Sequence, residues 1–139
     1  ASVILVSLNS ARAKARDAQR EENSVSIRTA LEAYFFDHGN FPLCGNYESP
    51  GSDGISSMNG FVVRSYDTNW DGCLAVALQP YIASLPKDMI NTTQEGLPLY
   101  YWYDCLADSA ASTTCGEHGV RFNIYFETRT PNRNDFYLK

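Results

Sequence analysis

Residues 1–38 contain no proline and no glycine, the two residues that most readily end a helix. Alanine, arginine, lysine, glutamate, glutamine and leucine dominate the middle of this run, and all are strong helix formers. A helix of that length extends roughly 55 Å at 1.5 Å per residue. A compact domain of 139 residues has a radius of gyration of about 14 Å. The helix must therefore project from the body or belong to something larger than one subunit.

Its two halves carry different patterns. Ile27, Ala30, Leu31, Tyr34 and Phe35 fall at i, i+3, i+4, i+7 and i+8, an apolar stripe facing a core. Residues 24–36 are accordingly assigned to the subunit's own core. In the first half the stripe thins to Leu8, Ala11, Ala15 and Ala18 between charges. Val3, Ile4, Leu5 and Val6, with Leu8 just beyond, are apolar on every side of the helix. Such a start makes sense only if something apolar surrounds it. Gly39 ends the run and supplies a left-handed C-cap.

Charge is unevenly spread along the chain. Arg12, Lys14, Arg16 and Arg20 against Asp17 give residues 1–20 a net +3, so the remainder carries −8 of the overall −5. No nucleic-acid partner is expected, because phosphate repulsion from an acidic body opposes attraction to a basic rod. The asymmetry suits side-by-side assembly, rod against neighbouring body, although solvated helix charge explains it equally well. No apolar run reaches the roughly 18 residues that a membrane span requires. The chain opens without Met or a signal-peptide pattern, as expected of a mature or truncated piece of a longer product.

Cys44, Cys73, Cys105 and Cys115 contain no C-x-x-C pair, and with only two histidines in the chain a zinc site is not expected. An even count at wide spacing points to disulfides in an oxidising compartment. Three pairings are open. Local contact across the short Ala/Ser/Thr loop favours Cys105 with Cys115, leaving Cys44 with Cys73; reduced, buried thiols are the alternative.

Residues 39–96 read as a helix-to-sheet loop region, rich in Gly, Ser and Asn, with a short strand at Phe61-Val62-Val63. Within it, Asp67, Asn69 and Asp71 followed by Gly72 fit D-x-N-x-D-G, the front half of a calcium loop. Position twelve would be Leu78 instead of a bidentate glutamate, so calcium competes with a plain turn in which Asp71 caps the next helix. That helix is expected over 72–85, with Leu74, Leu78, Tyr81, Ile82 and Leu85 on one face and Pro80 interrupting it. Asn91-Thr92-Thr93 is a formal glycosylation sequon.

From Leu97 the period changes from 3.6 to 2. Leu99–Tyr103 is strand-like, and Val120, Phe122, Ile124 and Phe126 alternate with Arg121, Asn123, Tyr125 and Glu127. Phe136-Tyr137-Leu138 forms a terminal strand. Strands joined by turns imply an antiparallel sheet. The expected class is α+β, a single domain over 1–139: a helix stem over 1–38 packed on a sheet of three to four strands over 97–139.

The long helix, its charged middle and the sequence ALEAYFFDHGNFP, with IASLPKDMI further on, resemble type IV pilins and the major pseudopilins of type II secretion. The resemblance implies an N-terminally truncated subunit of a pilus-like filament, lacking the apolar, glutamate-bearing opening of that family. It implies a bacterial cell-surface or periplasm-spanning filament of self-copies. Minor pilins and an assembly platform are the implied partners, with inner-membrane anchoring, through the missing opening segment, before assembly. Related pseudopilins bind calcium nearer the C-terminus; the matching stretch is Thr128–Asp135, where only Asp135 is acidic.

No hydrolase, zinc-protease, phosphate-loop or dinucleotide motif occurs, and catalysis is not expected. His38 and His118 read as turn residues. Tyr47, Tyr66 and Trp70 lie in loops, where satellite packing under the long loop is favoured over facing a partner. The rival functional reading is a monomeric extracellular adhesion or recognition module using residues 44–71.

Overall fold

A computed structural model describes residues 2–49, 60–115 and 118–139. Helix α1 spans Ser2–His38, 37 residues without a break. Gly39 adopts φ +73° and its N–H returns to the Phe35 carbonyl, closing the helix as the sequence predicts. The chain then forms β1 (Asn46–Glu48) and β2 (Gly60–Arg64), a π-helical turn (Trp70–Leu74) and one turn of α-helix, α2 (Ala75–Leu78). A hairpin follows, β3 (Thr92–Gln94) with β4 (Leu97–Leu99), then β5 (Trp102–Leu106), β6 (Val120–Tyr125) and β7 (Arg133–Leu138).

The class is α+β. The main sheet has five antiparallel strands in the order β1-β2-β5-β6-β7, with the β3–β4 hairpin separate. Three or four strands were expected. The additional strands are β2, which contains the strand expected at Phe61-Val62-Val63, and β1, from a stretch that reads as loop; residues 50–59 between them lie outside the described residues.

Period-two alternation divides the sheet into two faces. Tyr103 pairs with Phe122 and Cys105 with Val120, and these side chains join the core beneath α1 with Ile27, Ala30 and Leu31. Trp70, Leu74 and Leu78 fill the space beside them, fully buried. Trp70 lies 6.4 Å from both Tyr101 and Phe122, centroid to centroid. Trp70 therefore packs inward, the favoured of its two readings, and it does so in the main core instead of a satellite cluster. Tyr47 also packs inward, edge-on to Phe61 at 5.6 Å, whereas Tyr66 stays half-exposed against Tyr100.

Two strand expectations change in detail. Leu99–Tyr103 is not one strand: Pro98 lies in β4, and Tyr100 and Tyr101 cross over to begin β5. Strand β6 is buried on both faces throughout, although Arg121 and Asn123 read as solvent-facing. β6 lies between β5 and β7, and on its second face Arg121 meets Asp104 across the register at 2.8 Å while Asn123 accepts from Arg133. The helix expected over 72–85 shrinks to residues 70–78 before Pro80.

Disulfides join Cys44 to Cys73 and Cys105 to Cys115, the pairing that local contact favours. The first ties the segment after α1 to the π-helical turn. The second holds β5 to the segment that bridges Phe41. Loop-closure entropy grows with the length enclosed, so the two bonds should differ in worth. Replacing Cys44 and Cys73 by alanine, which opens a separation of 29 residues, is expected to cost about 3–4 kcal/mol. Opening the 10-residue Cys105–Cys115 separation should cost roughly 1 kcal/mol less, a difference read from urea midpoints.

Candidate assembly site

The start of α1 stands clear of the body. Val3 is 80% exposed, Ile4 73%, Leu5 61% and Val6 69%, with Leu8 at 44%. The first buried residue of the helix is Asp17. About 20 Å of helix, at 1.5 Å per residue, therefore projects beyond the last point at which the body holds it. Among the described residues nothing covers the apolar side chains on this projection, and each one left in water forgoes roughly 1.5–3 kcal/mol.

An ionic clasp fixes the point of departure. Arg20 is completely buried, and its guanidinium is shared among three carboxylates from three segments. Its Nε donates to Asp88 at 2.5 Å and Nη2 to the other oxygen of Asp88 at 3.0 Å. Its Nη1 donates to Asp17 at 2.8 Å and to Glu127 at 2.7 Å. Arg16 closes the outer side with two bonds to Glu127, each 2.7 Å. Asp17 in turn accepts the backbone N–H groups of Glu127 and Thr128 and the Thr128 hydroxyl. Helix, 85–91 segment and β6–β7 turn thus meet at one buried point.

Electrostatics follow from that geometry. Burial alone pushes the Asp17 carboxyl up, but the Thr128 hydroxyl, two backbone N–H groups and Arg20 together hold it below the usual carboxylate range. Glu127 is also held low, first by its hydrogen bond to Arg16. Burial opposes the Arg20 charge, yet the bonds to Asp88, Glu127 and Asp17 outweigh it and raise its pKa.

The acidic residues of the possible calcium loop have other partners in the structure. Asp67 turns its carboxylate onto the Arg64 N–H at 2.8 Å, and Asp71 pairs with Lys87 at 2.6 Å. Asn69 sits at the N-cap of the π-helical turn without a side-chain capping bond. Among the described residues no three His, Cys, Asp or Glu converge on a point that could hold a metal. In the second candidate stretch Thr128 is bound to Asp17 and Asp135 to Arg133. Of the three motif residues, both aspartates are thus engaged, one by an N–H and one by a lysine.

Other singled-out residues have local roles. His38 stacks on Tyr34 at 4.0 Å, and His118 meets Asp108 at 2.9 Å. The Asn91 amide is engaged with Ser65, its Nδ2 donating to the Ser65 carbonyl. Phe36, assigned above to the core, is 89% exposed, because it points one hundred degrees beyond Phe35 on the same helix.

No protein-family model, curated protein or solved structure matches this chain. Among the described residues no helix is long and apolar enough to cross a membrane.

Removing Arg20 would strand three carboxylates. Arg20→Ala is expected to cost about 3–5 kcal/mol, seen as a lower urea midpoint. Because the folded pKa values of Asp17 and Glu127 lie below their ordinary values of 3.8 and 4.5, the unfolded chain binds more protons in that interval. Their stabilisation is fully present above about pH 4.5 and is lost as pH falls through the depressed values. Thermal unfolding between pH 6 and pH 3 should show a steep fall, flattened in Asp17→Asn.

Proposed function

We propose that this chain is a structural subunit of a type IV pilus-like filament, a pilin or pseudopilin, and not an enzyme. One observation carries the reading: the apolar residues Val3–Val6 extend from a long helix past the Arg20 clasp, exposed among the described residues. A subunit that buries such a start against other copies recovers the hydrophobic energy that the monomer forgoes. The α+β body, helix on antiparallel sheet, supports the resemblance drawn from ALEAYFFDHGNFP. In this reading the helix starts bundle at the filament centre while the sheet-bearing bodies form the sheath. The filament belongs to a bacterial cell surface or periplasm, with minor pilins and an assembly platform as partners and inner-membrane anchoring beforehand. Burial of Trp70 weakens the rival reading of a monomeric recognition module, since it removes the largest of the aromatics that such a module would present.

The test is electron microscopy of the full gene product expressed with a pilus or type II secretion assembly apparatus. Wild type is expected to form filaments. Val3→Asp with Val6→Asp is expected to abolish them while leaving the thermal midpoint of the body unchanged, because both positions are solvent-exposed in the monomer. Absence of wild-type filaments, or filaments at full yield in the variant, would overturn the proposal.

A further inference from the structure

The projecting stem of α1 is sorted along its axis. Val3, Ile4, Leu5, Val6 and Leu8 lie toward its start, Arg12 and Lys14 follow, and no carboxylate side chain occurs before Asp17. Arg12 and Lys14 are exposed, and among the described residues neither forms an ion pair or a side-chain hydrogen bond. The next two cations, Arg16 and Arg20, are committed to the clasp.

We propose, resting on the inner-membrane anchoring of the filament reading, that Arg12 and Lys14 bind the anionic headgroups of a phospholipid leaflet while the subunit awaits assembly. The stem then selects a lipid class, and the headgroups hold the subunit at a set depth. Spacing along the helix and disposition around it both lead there.

Spacing sets the depth. A bilayer has a hydrocarbon core about 30 Å thick, flanked on each side by a headgroup layer of roughly 5–8 Å. With Leu8 at the edge of the hydrocarbon, Arg12 stands about 6 Å and Lys14 about 9 Å further out. Both long side chains can bend toward phosphate oxygens from those heights. Asp17 stands about 14 Å out. The clasp, with three carboxylates to two guanidiniums, therefore clears the phosphates, and so does the acidic body behind it.

Disposition separates lipid from a protein partner. At about 100° per residue, Arg12 and Lys14 point roughly 200° apart, to opposite sides of the stem. A single partner seated on one side would meet one cation and leave the other bare. A ring of headgroups around the helix meets both. The apolar residues before them also lie on every side, as a helix surrounded by lipid requires. Cations placed just beyond such a segment gain from the negative potential of an anionic leaflet, and that gain fades within a screening length.

Spin-labelled lipids provide the test. The full gene product is reconstituted in vesicles of phosphatidylcholine and phosphatidylglycerol, and electron paramagnetic resonance reads the fraction of each label that the protein immobilises. Phosphatidylglycerol is expected to be preferred at about 0.1 M salt and to lose its advantage at about 1 M, where the screening length is about 3 Å. Arg12→Gln and Lys14→Gln should each lower the preference about fivefold, and both positions are exposed, so the body stays folded. Arg28→Gln removes the same charge about 30 Å from Leu8 and should leave the preference unchanged. Equal immobilisation of the two labels by wild type, or a loss in Arg28→Gln as large as in the stem variants, overturns the lipid assignment and leaves the filament reading intact. A full gene product that neither enters vesicles nor forms filaments overturns both.

Discussion

A buried guanidinium sets the terms for this fold. Arg20 has no access to water, so its donors must all end on protein oxygens. The acceptors come from places far apart in sequence: Asp17 one turn back, Asp88 after the proline that follows Leu85, and Glu127 past the end of β6. None of these carboxylates could be buried alone. Held together they fix one helix, one irregular segment and one turn at a single point, and a body of two packed layers acquires a defined upper edge.

That edge divides one continuous helix into parts with different obligations. Below it, the inward residues pack on the sheet with Trp70, Leu74 and Leu78, and two disulfides pin the irregular connections around them. Above it, the helix carries apolar side chains that the chain does not cover. A clasp made of charges, not of apolar packing, resists leverage from a long rigid arm, because displacing any member strands the others in a poorly solvated place. That exposed arm is the feature on which the proposed assembly rests.

Several residues were legible in sequence for a plain reason. Helix and strand periods are local properties, so the Ile27–Phe35 stripe, the Gly39 cap and the alternation from Val120 to Phe126 announce their elements directly. The clasp was not legible. Arg16, Asp17 and Arg20 look like a solvated helix face until Asp88 and Glu127 arrive from elsewhere; the one hint was an aspartate placed just after a proline in IASLPKDMI. The D-x-N-x-D-G motif shows the converse limit of local spacing. Its oxygens have the right spacing, but Lys87 and the Arg64 N–H claim them first.

The sequence by itself determined that a long uninterrupted helix stands against an antiparallel sheet, because backbone propensity and hydrophobic period are written residue by residue. It determined equally that the first turns of that helix are apolar on every side. Only the tertiary structure decided where the body stops holding the helix, that Trp70 is core and Phe36 is surface, and that both faces of β6 are covered. Those outcomes depend on which distant segments meet, and contact between distant segments is settled by packing and charge compensation across the whole fold.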